Sequence, residues 1–213
     1  MFQASFPGAE TKVEETYGVA MLLAACGGFL DAFTYLGHGH VFANAMTGNV
    51  VLLGVFAAAG NWAQSLAHLY PILAFLSGVA AAEAFRLPRF LKWMPHAPLA
   101  SLTLEILFLA IAGAFPRDSA GTLLVLGISF VAALQSSSFR RAGKWTYNST
   151  LYAALCISFV AGAVAGGLCT LALDNRALWI VDAALLAVWL RLSPRCVRSG
   201  QKTSRQQYIP TVY

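Results

Sequence analysis

The sequence predicts an all-α protein, a polytopic transmembrane helical bundle of six to seven spans. Of the 213 residues, 58% are hydrophobic and 11% are charged, whereas soluble domains average about 25% charged residues. The hydrophobic residues form seven long runs separated by short polar segments, without the alternating pattern of strands. A water-soluble core of this size could not hide so much apolar surface, so the chain is expected to lie in a membrane.

The seven runs have lengths suited to helices that cross a bilayer. The hydrocarbon core is about 30 Å thick and needs about 20 helical residues, and a helix satisfies its own backbone polar groups. Five runs meet this requirement directly. The second run is interrupted by polar residues between positions 44 and 49, and the last is short and contains Asp182. The runs are Tyr17–Leu36, Val41–Ala59, Leu66–Phe85, Leu99–Phe115, Gly121–Phe139, Leu151–Leu173 and Leu178–Leu192.

These runs divide the chain into three parts. Residues 1–16 form a polar N-terminal segment, residues 17–192 form the transmembrane helical domain, and residues 193–213 form a basic cytoplasmic tail. The first segment lacks the basic leader and small-residue cleavage site of a secretory signal. We therefore expect the first hydrophobic run to remain in the mature protein.

The lysine and arginine residues predict the orientation. Eleven of the 14 fall in segments 86–92, 140–144 and 191–205, which share one face of the membrane if each intervening run spans. The positive-inside rule makes this face cytoplasmic. We expect a multi-pass protein of the bacterial inner (plasma) membrane with a cytoplasmic C-terminus. Its basic segments would contact membrane lipids with anionic headgroups, and no nucleic-acid partner is expected.

The side of the N-terminus depends on the second run. If that run crosses, there are seven spans and the N-terminus is outside, which suits its acidic character and is the preferred arrangement. If the run is re-entrant, there are six spans and the N-terminus is inside. In the seven-span arrangement Asp31 lies about 7–8 Å from the cytoplasmic end of its helix, at 1.5 Å per residue.

The densest polar cluster joins the first two runs. Asp31 lies at membrane depth, where an acid usually faces a cavity or a partner. The segment Gly37–His40 must then break the helix, and a group of polar residues begins the next one. This group caps the helix and forms a tight turn, or it is an exposed helix terminus that binds an ion or polar solute, as in broken-helix transporters. The group comprises Asn44, Thr47, Gly48 and Asn49.

Two further acids, Glu105 and Asp182, lie deep in their runs without a basic residue within helical reach. Unpaired acids in the interior favour a cation or a proton as the permeant species. Alternatively, the acids are protonated and hydrogen-bonded across helices. The candidate residues of a substrate or ion pathway are Asp31, Asn44, Thr47, Gly48, Asn49, Glu105, Gln135 and Asp182.

The sequence does not predict an enzyme, a metal site or a cofactor. His38 and His40 form a single His-x-His pair, which is too few ligands for a zinc site. The Ser136–Ser138 stretch lacks a nucleophile-elbow pattern, and polar packing between helices accounts for it. The four cysteines lack metal or disulfide spacing and are expected to pack as small hydrophobic residues.

An internal repeat is also indicated. The frame Phe-x-x-Gly-x-x-x-small begins at Phe75 and again at Phe159, and each copy follows a span that ends near a polar residue, Asp31 or Gln135. Small residues four positions apart let helices approach closely, so helix packing alone could also produce this frame. The sequence therefore indicates a possible internal repeat whose two copies have diverged.

Several of these residues together resemble the signature of a known family. Gly28-x-x-Asp31-Ala32, followed by Val41-Phe42 and by Met46-Thr47-Gly48-Asn49, is similar to the YoaK family of uncharacterised bacterial membrane proteins. Phe75-x-x-Gly78 and Leu134-Gln135 resemble later family features, so the likeness covers most of residues 18–192. The family usually has a second Thr-Gly motif after the glutamine. Here that region reads Thr146-Tyr147-Asn148-Ser149-Thr150, so the second polar helix start is expected to be eroded or deleted.

The resemblance implies a membrane protein without implying an activity. The polar helix break and the intramembrane acids favour a small-solute or ion transporter or channel. The alternative is a non-transporting structural or assembly protein of the membrane, with helix packing or subunit contacts, and a homo-oligomer is possible. Transport predicts that Asp31 and Asn49 face water, whereas a packing role predicts that both are dry and fully hydrogen-bonded.

Overall fold

The computed structural model describes residues 17–85, 96–116, 121–139 and 149–206, and these residues form helices and no strand. The all-α prediction is therefore confirmed. The last helix continues through most of the segment predicted as a tail. The elements are α1 (Tyr17–Gly37), α2 (Met46–Ala58), α3 (Trp62–Phe85), α4 (Ala97–Ala112), α5 (Gly121–Phe139), α6 (Ser149–Leu173), a 3₁₀ turn (Asp174–Ala177) and α7 (Leu178–Gln206).

Four helical stretches of the described chain are long and apolar enough to cross a membrane: Gly18–Gly37, Trp62–Phe85, Gly121–Phe139 and Ala153–Ser193. The last stretch contains α6 and the first part of α7, which are separated at Asp174 by a left-handed φ of 51°. The helices α2 and α4 are shorter, with 13 and 16 residues. At 1.5 Å per residue they are about 20 and 24 Å long.

The closest helix pair is α1 with α6, and these two helices are parallel. Gly162 faces the backbone of Ala25, Gly166 faces Phe29, and Thr170 lies beside Gly37. A Cβ atom added to Gly166 would lie 2.5 Å from the carbonyl oxygen of Phe29. The glycines thus remove the side chains that would keep the two backbones apart.

The other contacts fix the remaining helix directions. Gly78 of α3 faces Phe130 and Ala133 of α5. The first turns of α3 and α5 line the same cavity, which shows that the two helices are parallel. The helices α4 and α7 are antiparallel. The indole Nε1 of Trp179 donates to the Ala110 carbonyl (3.2 Å), and that of Trp189 donates to Thr103 Oγ1 (2.9 Å).

This packing agrees with an internal repeat. Gly78, in the first copy of the Phe-x-x-Gly frame, packs on α5, the helix that precedes the second copy. Gly162, in the second copy, packs on α1, the first helix of the first half. Only residues 140–148 separate α5 from α6, fewer than the 13 residues of α2. The nine residues between these helices are too few for a helix as long as α2, and the Thr146–Asn148 part of the expected lost motif lies outside the described residues.

One end of the bundle, which we call the His38 end, collects the C-terminal ends of α1, α4 and α6 and the N-terminal ends of α3, α5 and α7. His38, just after α1, lies 4.0 Å from a Cβ built on Gly121, at the start of α5. Asn175, between α6 and α7, donates to the carbonyl of Phe115, just after α4 (3.0 Å). The opposite ends of α3 and α5 lead into the basic segments 86–92 and 140–144, so that end is called the basic end.

The helix α2 does not cross the bundle. After the His38 end the chain turns inward until the Asn44 N–H reaches Asp31 Oδ1 (2.7 Å). From there α2 runs antiparallel to α3, with Ser65 Oγ donating to the Leu53 carbonyl (2.9 Å), back to the His38 end. The structure therefore corresponds to the six-span alternative, and the preference for seven spans is corrected. Asp31 lies six residues, about 9 Å, from the end opposite the basic segments.

This arrangement gives a testable topology. The N-terminal end of α1 and the C-terminal end of α7 lie at the basic end, so the positive-inside rule predicts that both face the cytoplasm. We expect alkaline phosphatase fusions before Tyr17 and after Tyr213 to be inactive in intact cells, and green fluorescent protein at either position to fluoresce. A phosphatase inserted in the exposed turn at Gly60 should be active. Phosphatase activity at the N-terminal fusion would contradict the re-entrant α2.

Candidate functional site

Residues 38–58 form a re-entrant hairpin, with a non-helical arm that enters the bundle and the helix α2 that leaves it. The arm begins with two left-handed residues, Gly39 (φ 86°) and His40 (φ 59°). This conformation is uncommon for a residue with a side chain. The ring of Tyr35 stacks on Phe42 at 5.0 Å and contacts His40 edge-on at 5.1 Å. These contacts turn the chain back toward the interior of the bundle.

Asn49 joins the two arms of the hairpin. Its side chain is fully buried. Oδ1 accepts the N–H of Phe42 (3.0 Å), and Nδ2 donates to the carbonyl of the same residue (2.6 Å). One amide side chain therefore satisfies both backbone groups of Phe42, which a non-helical segment inside a membrane protein requires.

Gly28 and Gly48, the two glycines of the predicted signature, make close contacts in two different parts of the bundle. A Cβ atom on Gly48 would lie 2.8 Å from the Phe42 ring, so this glycine makes room for a side chain of the hairpin. A Cβ atom on Gly28 would overlap the carbonyl of Phe159 in α6. Gly28 thus serves the α1–α6 contact, away from the helix break.

Asp31 holds the tip of the hairpin from α1. Its Oδ1 accepts the N–H groups of Asn44 (2.7 Å) and Ala45 (3.2 Å), and its Oδ2 accepts that of Ala45 (2.9 Å). Ala45 is the N-cap residue of α2 and has no side-chain capping bond. A carboxylate from another helix therefore takes the place of a local cap at the positive end of the α2 dipole.

His68 of α3 is a further member of this cluster, and the sequence analysis missed it. It is 1% exposed, its Nδ1 lies 3.2 Å from Asn49 Oδ1, and its ring stacks on Phe56 at 5.5 Å. Phe42 fixes the orientation of the Asn49 amide, so His68 Nδ1 must be the donor of the bond to Asn49 Oδ1. The available signal was an imidazole inside the apolar run Leu66–Phe85.

The structure thus unites part of the predicted set. Asp31, Asn44, Gly48 and Asn49 form one cluster, and the side chain of Asn44 covers Gly27. Thr47 begins α2 but is exposed. Gln135 lies apart in α5, with a buried Nε2 that has no hydrogen-bond partner in the described chain. Because Asp31 and Asn49 are buried and bonded, their geometry is the one that a packing role predicts.

Glu105 and Asp182 lie elsewhere, on the antiparallel helices α4 and α7, and we call them the acid pair. Glu105 is 1% exposed, and Asp182 is within electrostatic reach of it. Cys26 of α1 is also within electrostatic reach of Glu105. Oε2 of Glu105 and both carboxyl oxygens of Asp182 are buried without a hydrogen-bond partner among the described residues. The hairpin acid is therefore satisfied, and the acid pair is not.

The acid pair has a definite electrostatic requirement. Two negative charges in a low-dielectric interior repel strongly, and each also loses its hydration. A proton or a bound cation would remove this repulsion. Within the described ranges no three His, Cys, Asp or Glu side chains are grouped as a multidentate metal site would need.

Comparisons with known proteins identify a family and a curated transmembrane relative. The family described as "Protein of unknown function (DUF1275)" matches residues 19–152. The curated UPF0700 transmembrane protein YoaK of Bacillus subtilis (strain 168) is 29% identical over 133 residues, which cover 61% of this chain and 59% of that protein. The chain thus spans about three fifths of the length of this relative. No solved structure matches the chain. The family match includes the hairpin and Glu105 but ends before Asp182.

Proposed function

The chain belongs to the DUF1275 family of proteins of unknown function, and we propose that it is a membrane transporter or channel for a small solute or a cation. The acid pair is the observation that carries this proposal. Three carboxyl oxygens of Glu105 and Asp182 are buried without hydrogen-bond partners in the described chain. Unsatisfied acids inside a membrane protein are costly and typically mark ion or proton pathways.

The re-entrant hairpin supports the same function. A half-helix that starts inside the bundle, preceded by non-helical backbone, is an arrangement that transporters and channels use around their pathways. In this chain the start of α2 lies at the depth of Asp31 rather than at a membrane surface. We place the protein in the bacterial plasma membrane with both termini cytoplasmic, which the basic segments and the named transmembrane relative support.

Ion flux through purified protein tests the proposal. The protein would be reconstituted into vesicles that contain a pH-sensitive or a sodium-sensitive dye, and a potassium diffusion potential would drive cation entry. We expect flux with the unmodified protein. Glu105→Gln and Asp182→Asn should each lower it by roughly tenfold or more, because an amide neither releases a proton nor neutralises a cation.

The matched control is Glu83→Gln, which makes the same chemical change at an exposed position near the basic end of α3. This variant should retain its flux, and all three variants should remain folded in detergent. Unchanged flux in both acid-pair variants would refute their role. If the unmodified protein carried neither protons nor sodium ions, the cation pathway would be refuted.

A structural or assembly protein of the membrane is the second candidate function. The observation in its favour is that Asp31 and Asn49 are buried and hydrogen-bonded, as packing residues would be. If the acid pair also serves packing, Asp182→Asn should keep or raise thermal stability, because the amide removes a buried negative charge, and no flux would be lost. Cross-linking in membranes would then show whether the chain forms homo-oligomers.

A further inference from the structure

A cavity of about 280 Å³ lies at the His38 end, between the hairpin, the first turns of α3 and the first turns of α5. Tyr70 and Thr122, which line it, are exposed, so the cavity opens at the surface of the bundle. It is built from helices other than α4 and α7, which carry the acid pair. None of the sequence-predicted pathway residues lines it.

A proline leaves a backbone acceptor on one of the residues that line this cavity. Pro71 is inside α3 and buried. Because proline has no N–H, the carbonyl of Ala67, four residues earlier, lacks its usual helical donor. Ala67 and Pro71 both line the cavity. A carbonyl without a donor is unfavourable at membrane depth, and a molecule in the cavity that carries an N–H or O–H group could supply the missing bond.

The other lining groups define the chemistry of such a molecule. The polar side chains in the wall are His38, Tyr70 and Thr122, and the rest of the wall is apolar, with Val125 and Leu126 on α5. The described residues of this wall include no Asp, Glu, Lys or Arg, so none of their side chains carries a permanent charge that would attract an ion. A liquid water molecule takes about 30 Å³, so the cavity has the volume of about nine waters.

We propose that this cavity binds a small neutral solute, which donates a hydrogen bond to the Ala67 carbonyl and packs its carbon frame against α5. The inference deepens the proposed transport function, since it names the class of solute and places its entry site at the His38 end. The acid pair would then bind the coupling proton or cation at a separate place. Binding can be measured without transport, so each proposal can fail alone.

Protection of an engineered cysteine tests the site. In a full-length protein whose native cysteines are replaced by alanine, Ala63→Cys places a thiol on the cavity wall, because Ala63 is a lining residue with an exposed position. Ala59→Cys, in the exposed turn after α2, is the matched reference. N-ethylmaleimide would alkylate both in the presence of butane-1,4-diol, 1,4-diaminobutane or succinate. These probes share four carbons and differ in charge.

We expect the neutral diol alone to slow alkylation at position 63, by about threefold when its concentration is twice its Kd. Alkylation at position 59 should not change with any probe. Pro71→Ala restores an N–H to the Ala67 carbonyl and should abolish the protection. Val125→Phe fills the cavity from α5 and should do the same, which covers the case in which Pro71→Ala fails to fold.

Equal protection by the charged probes, or none by the diol, would overturn the inference. Protection that survives in both folded variants would also overturn it. Protection by the diol in a protein that moves no ion would support the solute site and count against the acid-pair pathway. Ion flux through a protein in which the diol gives no protection would support the acid-pair pathway and count against the solute site.

Discussion

Gly162→Ala is expected to destabilise the protein by about 3 kcal/mol or more, near the upper end for overpacked sites. The added Cβ atom would overlap the carbonyl group and Cα atom of Ala25 in α1. These are backbone atoms, so no side chain can rotate away, and the two helices must move apart. The separation would also weaken the neighbouring close contact between Gly166 and Phe29. Reversible unfolding in mixed micelles would measure the change.

Gly54→Ala is the matched control for this prediction. Gly54 lies in α2, and nothing lies within 4 Å of a Cβ atom built on it. The same substitution should be neutral or stabilising by up to about 1 kcal/mol, because alanine favours the helix over glycine. Equal effects of the two substitutions would show that the α1–α6 contact does not depend on the missing side chain.

Asp31→Ala is expected to destabilise the hairpin by about 3–5 kcal/mol, because two partly buried N–H groups would lose their acceptor and each such loss costs about 1–3 kcal/mol. Those groups are the amides of Asn44 and Ala45. Asp31→Asn keeps one carbonyl oxygen and should lose only about 1 kcal/mol. Thr34→Val removes a buried hydroxyl that bonds within α1 alone, and it should cost about 1 kcal/mol or less.

The Asp31 series also separates a positioning role from a proton relay. A positioning role predicts that Asp31→Asn keeps its ion flux and that Asp31→Ala loses flux and stability together. A relay predicts that Asp31→Asn is stable and inactive. Hydrogen exchange of the Asn44 and Ala45 amides would show directly whether the hairpin remains closed. Stable, inactive Asp31→Asn protein with those two amides still protected would contradict the positioning role.

For the hairpin, the local sequence predicted the helix boundaries but not the long-range hydrogen bonds. The glycines and histidines at 37–40 indicated a helix break, and the polar group from Asn44 to Asn49 indicated a helix start, as the structure has them. The partners of these residues lie 7 to 19 positions away along the chain. The partners lie in different elements or in the non-helical arm, where no helical or strand period relates them, so the bond to Asp31 and the contribution of His68 were not predictable from spacing.

The acid pair marks a similar limit. Glu105 and Asp182 were each recognisable as acids in apolar runs. Their proximity depends on the antiparallel packing of α4 and α7, which residues such as Trp189 and Thr103 establish. The cavity was not predictable either, because Ala67, Pro71 and Val125 are ordinary membrane residues until α3 and α5 are placed side by side.

The sequence by itself determined the class of this protein: its helices, its membrane location and its family follow from apolar runs and a local motif. Those properties depend on each residue's own transfer to lipid and on neighbours within a few positions. Only the tertiary structure decided that α2 returns to the end at which it entered. Hydropathy cannot distinguish a crossing helix from a re-entrant one, because both are apolar. The difference depends on where Asp31 and His68 offer hydrogen bonds to the hairpin.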